Sequence, residues 1–340
     1  MFKEACLARP LSGDTVQCQA CEHFCAVKPG EAGKCGVRRN FEGTLTLVVY
    51  AAPVAVHVDP IEKKPLFHFL PQSQALSVGT YGCNFFCDFC QNWQMSQVRD
   101  VPATAMRATE EATPEALVRA CVANDIPIIA YTYNEPTVFF EYTLDTARLA
   151  QERGIRNVYV SNGYMTERAL DTIEPYLDAI NVDLKAFTEE FYQTHCGARL
   201  APVLRNIAHI ARDTGIWIEV TTLLIPGAND SDEELHELAG WLAEVDPQLP
   251  WHVSRFHPDY HMLDRRATPP ASLVRAYEIG RQAGLQYVYL GNVLDAEREA
   301  TACPECGRRL IERTGYRVRP SWERPGVCPQ CGSPIAGVWS

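Results

Sequence analysis

Ala75-Leu76-Ser77-Val78-Gly79-Thr80-Tyr81-Gly82-Cys83-Asn84-Phe85-Phe86-Cys87-Asp88-Phe89-Cys90 is an apolar β-type run that empties into a loop of three cysteines. The spacing is C-x3-C-x2-C. Three thiolates on so short a loop can hold three corners of an iron–sulfur cubane. With no fourth cysteine nearby, one iron keeps an open position, the mark of a reactive metal site rather than a scaffolding one. A structural zinc ion would want a fourth soft ligand. His is absent from the loop, and Asp88 is a hard donor poorly matched to a soft site.

Downstream, short β-rich runs alternate with amphipathic stretches. Strands are expected at 75–80, 126–132, 157–161, 179–184, 217–224 and 251–256, with an extra one at 287–290. Helical stretches fall at 114–124, after the N-cap Thr113, at 137–153, ending on Gly154, and at 231–245, opening on Ser231. Such βαβα order implies a parallel sheet with right-handed crossovers. The expected fold is α/β: a partial (β/α)6 barrel of the TIM type over residues 74–297. A cysteine-rich module (1–73) precedes it and a zinc-ribbon-like module (298–340) follows. Polar residues stand just after successive strands, where ligand sites of parallel sheets gather. They are the cysteine loop, Asn134-Glu135, Asn162-Gly163, Asp183-Leu184-Lys185 and Arg255-Phe256-His257.

Eleven of the fourteen cysteines fall into three clusters, leaving Cys6, Cys121 and Cys196 outside. Cys303, Cys306, Cys328 and Cys331 form two Cys-Pro-x-Cys-Gly knuckles with the spacing of a tetrathiolate Zn²⁺ site. Forty residues build too small a core alone, so the metal supplies folding energy. Cys18, Cys21, Cys25 and Cys35 suit zinc or a second iron–sulfur cluster, with His23 a further ligand candidate. Lys63 and Lys64 read as solvated surface, with attraction of an anionic substrate as the alternative. Arg308, Arg309, Arg313, Arg317, Arg319 and Arg324 read as a solvated basic face. The net charge of −11 argues against a broad nucleic-acid surface. No apolar run reaches the roughly 18 residues of a membrane span, and residues 1–10 lack the apolar centre of a signal peptide. A cytoplasmic protein is expected.

The C-x3-C-x-Φ-C loop, with Phe89 as its aromatic, resembles the signature of the radical S-adenosylmethionine (SAM) superfamily. The resemblance implies a [4Fe–4S] cluster on Cys83, Cys87 and Cys90, whose open iron chelates the amino and carboxylate groups of SAM. It also implies reductive cleavage to methionine and a 5′-deoxyadenosyl radical that abstracts hydrogen. Tyr133-Asn134-Glu135 resembles the family's glycine-glycine-glutamate element, with Tyr133 and Asn134 standing where the glycines would be and Glu135 as ammonium partner. Ser161-Asn162-Gly163 resembles the ribose-contacting segment, and Asp183-Leu184-Lys185 an element in which Lys185 neutralises the SAM carboxylate. Thr221, Thr222 and Ile225-Pro226-Gly227 resemble the adenine-packing region, and His257 closes the sixth strand. Cys196, on the loop after the fourth strand, is a candidate thiol facing the mouth, to hand a hydrogen atom to a substrate radical.

The order of parts along the chain resembles the radical enzyme of the AmmeMemoRadiSam system, a relative of pyruvate formate-lyase activating enzyme. That implies the system's associated proteins as partners and a one-electron donor of the flavodoxin or ferredoxin type. The hydrogen donor is then a small molecule or modified side chain, or alternatively the backbone glycine of a glycyl radical enzyme. A metal-stabilised scaffold without turnover is the reading from another class. No cobalamin-binding segment is recognisable, which disfavours methyl transfer.

Overall fold

The computed structural model describes residues 2–99 and 112–340. Its centre is an eight-stranded sheet in the order β14-β13-β12-β11-β10-β9-β8-β7. The strands are β7 (Ala55–Pro60), β8 (Gln74–Gly79), β9 (Ile128–Tyr131), β10 (Arg156–Ser161), β11 (Ala179–Asp183), β12 (Trp217–Leu224), β13 (Trp251–Arg255) and β14 (Val288–Gly291). From β8 to β14 every pairing is parallel and sequential. The sheet curves without closing, so this is a partial barrel of seven parallel strands, the seventh being the extra strand that the sequence suggested. Strands buried on both faces need apolar residues at consecutive positions. Ile128, Ile129, Ala130 and Tyr131 are all buried accordingly.

Helices Pro114–Ala123, Phe140–Gln151, Glu167–Ile173, Leu200–Asp213, Asp232–Val245 and Pro270–Gln282 make the crossovers. Their starts follow local chemistry: the Thr113 and Ser231 hydroxyls accept from the amides of Ala116 and Glu234. Gly154, expected as a terminator, has φ +69° just beyond Phe140–Gln151. Among the described residues no helix is long and apolar enough to cross a membrane.

One strand of the central sheet escaped the sequence reading. β7 pairs antiparallel with β8 at the edge of the sheet. Val56, His57 and Val58 on it are exposed, so it lacks the apolar run that betrays a buried strand.

Before β7, strands β1 (Lys3–Glu4), β2 (Ala8–Pro10), β3 (Val16–Cys18), β4 (Ala26–Val27), β5 (Arg38–Phe41) and β6 (Thr44–Leu47) form two small sheets, β2-β3-β4 and β1-β6-β5. Their interior is continuous with the barrel's: Cys18, Val37 and Leu47 belong to one buried cluster with Tyr131, Phe139 and Tyr164. A fully buried ion pair ties the parts together. Both terminal nitrogens of Arg38 donate to Glu141 at 2.8 Å.

At the other end, β15 (Thr301–Ala302), β16 (Arg309–Thr314) and β17 (Arg317–Pro320) form a third small sheet. It packs on Phe67, Tyr287 and Tyr289. Arg313, read from sequence as part of a solvated face, is 1 % exposed. It donates to the carbonyls of Phe67 and Glu299 and to the Thr301 hydroxyl, because the face carrying it turns onto the barrel.

Candidate functional site

The C-terminal ends of β8 to β13 surround a cavity of about 500 Å³, and Cys83, Cys87 and Cys90 all line it. Backbone contacts fix the loop that carries them. Gly82 has φ +87°, and a Cβ there would stand 2.5 Å from the Cys35 carbonyl oxygen, so only glycine fits. The Asn134 amide donates to the Gly82 carbonyl (2.7 Å). Arg99 donates to the carbonyls of Cys83 (2.7 Å) and Phe85 (3.0 Å). The amides of Phe86 and Asp88 donate to the carbonyls of Cys196 and His195.

Burial, then the Glu135 charge, push the Cys83 thiol well up. A hydrogen bond with Cys196, then burial, do the same for Cys87, and burial followed by Cys87 raises Cys90. Binding of a metal by these thiols would therefore release protons. Among the described residues the group of metal-ligating side chains whose donor atoms all lie within 4.8 Å of one another is Cys303, Cys306, Cys328 and Cys331. The loop trio is spread more widely than that. Three soft donors, Cys83 and Cys87 buried and Cys90 partly so, spread around an open cavity in a way that fits the corners of a cluster.

The opposite wall carries the polar residues singled out in the sequence. Glu135 is buried, and both of its oxygens are taken by the chain itself. Oε1 accepts from the Thr137 amide and hydroxyl, Oε2 from the Asn162 amide, and the Ser161 hydroxyl bridges both. Asn162 donates to the Asn84 side chain at 2.7 Å. Lys185 reaches Asp183 at 2.7 Å, and both line the cavity. Burial opposes the Lys185 charge, but Asp183 and Cys87 raise its pKa by more. Phe89 is buried against the Phe191 ring, 5.8 Å away, and also lines the cavity. Tyr133 has φ +73°, the backbone region that glycine favours. Its hydroxyl donates to Asp59 at 2.6 Å, which anchors the side chain in that conformation.

The remaining candidates stand around this cavity or just behind it. Thr222 faces away from the mouth and accepts from Trp251 Nε1. Strand alternation instead turns Thr221 and Leu223 into the cavity. His257 bonds Gln91 at the exposed rim, outside the lining. Cys196 is fully buried at the end of a π-helical turn, Tyr192–Cys196. Its carbonyl accepts from the Phe86 amide and its thiol hydrogen-bonds that of Cys87, so it stands directly behind the cysteine loop while Cys87 itself lines the cavity. Lys64 is not solvated: it is 2 % exposed, bonded to Asp59 at 2.7 Å, and lines the cavity beside Lys63. Asp59, five residues earlier on β7, was the sequence signal for this pairing. Arg99, which shapes the site through the Cys83 and Phe85 carbonyls, had none.

A second cavity of about 690 Å³ adjoins the first, sharing Lys63, Pro65, Thr221, Ser254, Asn292 and Tyr316 as common wall. Tyr316 comes from the turn between β16 and β17. In that module Cys303 and Cys331, and likewise Cys306 and Cys328, are 3.6 Å apart through their sulfurs. A tetrahedral ion with metal–sulfur bonds of about 2.3 Å separates its ligands by roughly 3.8 Å, so the quartet fits one zinc-like ion. The Ser333 hydroxyl and amide draw the Cys331 thiol down to about 6, favouring the ligating thiolate.

A family model described as the Radical SAM superfamily matches residues 77–239. An uncharacterised protein of Methanocaldococcus jannaschii is 41% identical over 321 residues, covering 94% of this chain and 93% of the relative. A putative glycyl-radical enzyme activating enzyme of the same organism is 26% identical over 236 residues, 67% of this chain and 83% of the relative. Among solved structures, Streptococcus suis SuiB bound to S-adenosylmethionine shares the fold, with a TM-score of 0.52 at 15% identity over 72% of this chain and 56% of SuiB. With its cysteine trio at the mouth of a partial parallel barrel, the chain belongs to the radical SAM superfamily.

Proposed function

We propose that this chain reductively cleaves S-adenosylmethionine at a [4Fe–4S] cluster on Cys83, Cys87 and Cys90. The radical formed then takes a hydrogen atom from a small molecule or modified side chain, within an AmmeMemoRadiSam-type system. The observation that carries this reading is one cavity with the cysteine trio on one wall and Asp183, Lys185, Asn162 and Glu135 on the other. Cys83, Cys87 and Cys90 would hold the cluster, whose chemistry would be the one-electron reduction that splits the SAM sulfonium into methionine and a 5′-deoxyadenosyl radical. Lys185 meets the SAM carboxylate with a positive charge, and Asp183 holds that ammonium in place. Glu135, fixed by Thr137, Ser161 and Asn162, holds the segment that receives the amino group. Asn162 faces the ribose, and Phe89 and Leu223 exclude water from the reacting carbon.

The adjoining chamber of about 690 Å³, partly walled by the C-terminal module, supports a small substrate, for which such a volume is ample. Activation of a glycyl radical enzyme is the second reading, favoured by the putative activating enzyme among the relatives. The tight quartet at Cys303, Cys306, Cys328 and Cys331 holds zinc, and the N-terminal quartet holds a metal centre. A flavodoxin- or ferredoxin-type donor feeds the electron, and the reaction takes place in the cytoplasm.

The test is anaerobic. Reconstituted, reduced protein converts SAM to 5′-deoxyadenosine, and Cys83→Ser, Cys87→Ser and Cys90→Ser each abolish it. Intact turnover in these variants, or none in the wild type, defeats the proposal, the second outcome leaving a scaffold. A glycine-centred radical on mixing with a partner selects the second reading.

A further inference from the structure

Cys18, Cys21, Cys25 and Cys35 line a single enclosed cavity together with Arg38 and Asn84. Cys18 and Cys35 are buried, while Cys21 and Cys25 are partly exposed. His23 is not available as a ligand: its Nε2 bonds the Asn84 carbonyl at 2.8 Å, and its Nδ1 faces Lys34 Nζ. The donor set is therefore four thiols. No three of these sulfurs lie within 4.8 Å of one another, although the C-terminal quartet meets that limit. A single tetrahedral ion would draw the sulfurs to roughly 3.8 Å apart. Cys83, Cys87 and Cys90 likewise fall outside that limit, so the two N-terminal sets of thiols share a spacing wider than that of the C-terminal quartet.

A second observation is independent of the thiols. Arg38 is 1 % exposed and Asn84 fully buried, yet Arg38 Nε and Asn84 Nδ2 have no partner among the described residues. Two buried N–H donors left unpaired are costly unless something in the cavity accepts from them. The sulfides of an iron–sulfur cluster accept such bonds, which tune its potential. The same cavity touches the radical site: the Cys35 carbonyl packs on Gly82, and His23 bonds Asn84, the two residues flanking Cys83.

We propose that Cys18, Cys21, Cys25 and Cys35 hold a second [4Fe–4S] cluster that relays single electrons to the cluster on Cys83, Cys87 and Cys90. This rests on the radical reading above. A reduced flavodoxin- or ferredoxin-class donor loses one electron at the partly exposed Cys21–Cys25 side. The relay cluster gains that electron and passes it on, returning to its oxidised form, and no atoms move.

The experiment uses the full chain, reconstituted anaerobically with iron and sulfide. Metal analysis and electron paramagnetic resonance are run on the wild type, on a Cys83→Ala/Cys87→Ala/Cys90→Ala variant, and on Cys21→Ser. The triple variant is expected to keep four irons and a reducible cluster signal that SAM does not perturb. Cys21→Ser is expected to keep SAM cleavage driven by dithionite and to lose cleavage driven by reduced flavodoxin. Zinc in place of iron in the triple variant, no iron there, or undiminished flavodoxin-driven turnover in Cys21→Ser overturns the relay. If Cys21→Ser does not fold, the triple variant decides alone. Failure of the radical reading looks different: both clusters are loaded, but neither responds to SAM.

Discussion

Lys185 and Asp183 share one side of β11's end, two residues apart and 2.7 Å from ammonium to carboxylate. If Lys185 receives the SAM carboxylate, Lys185→Met removes a charged hydrogen bond. The KM for SAM should rise about tenfold, some 1.4 kcal/mol, with kcat less affected. Assay of 5′-deoxyadenosine against SAM concentration checks this, and an unchanged KM removes Lys185 from the site. These two residues were legible because their types and their place after a strand are both visible in the sequence. Of Thr221 and Thr222, named together in the sequence, Thr221 lines the cavity because neighbours on a strand face opposite ways, and Cys196 ends a π-turn that leaves its side chain buried. Neither leaves a trace in composition.

At the scale of elements, the parallel strands declared themselves as apolar runs, and β12 was readable residue for residue at Trp217–Leu224. β7 was not, since an edge strand exposed at Val56, His57 and Val58 carries no such run. Nor was the join between β5 and helix Phe140–Gln151, made by Arg38 and Glu141 more than a hundred positions apart. Burial disfavours the Arg38 charge, but Glu141 more than restores it and holds its pKa up. Glu141→Gln strands a buried guanidinium and should cost about 3–5 kcal/mol in urea unfolding, with Arg38→Met/Glu141→Met recovering much of the loss. A loss below about 1 kcal/mol would mean that the pair does not anchor the N-terminal segment.

Across the whole molecule, the seam between barrel and C-terminal module centres on His68. Its Nδ1–H donates to the Ala336 carbonyl (2.6 Å), so Nε2 accepts from the Tyr289 hydroxyl (2.6 Å). Glu219, Arg313 and His252 are the charged or titratable groups that act on it. Burial outweighs the help from Glu219 and lowers the His68 pKa from 6.5 to about 4. The unfolded chain therefore takes up this proton first. Stability should be fully present above pH 6.5 and fall as pH drops toward about 4. Thermal melting across that window should slope less in His68→Gln, and equal slopes would exclude His68 as the source. The sequence showed both ends of this seam without showing that they meet, because contact between positions 68 and 336 is a property of the packed chain.

Tyr316 stands at the tip of a hairpin beside four cysteines placed to grip one metal ion, and its ring borders both the cysteine-loop cavity and the chamber next to it. If the proposed function holds and that quartet carries zinc, loss of the ion would leave every group assigned to radical generation in place and remove the partition that shields it. Such a molecule would go on consuming its sulfonium reagent while its radicals leaked to solvent, so metal scarcity would appear first as futile turnover.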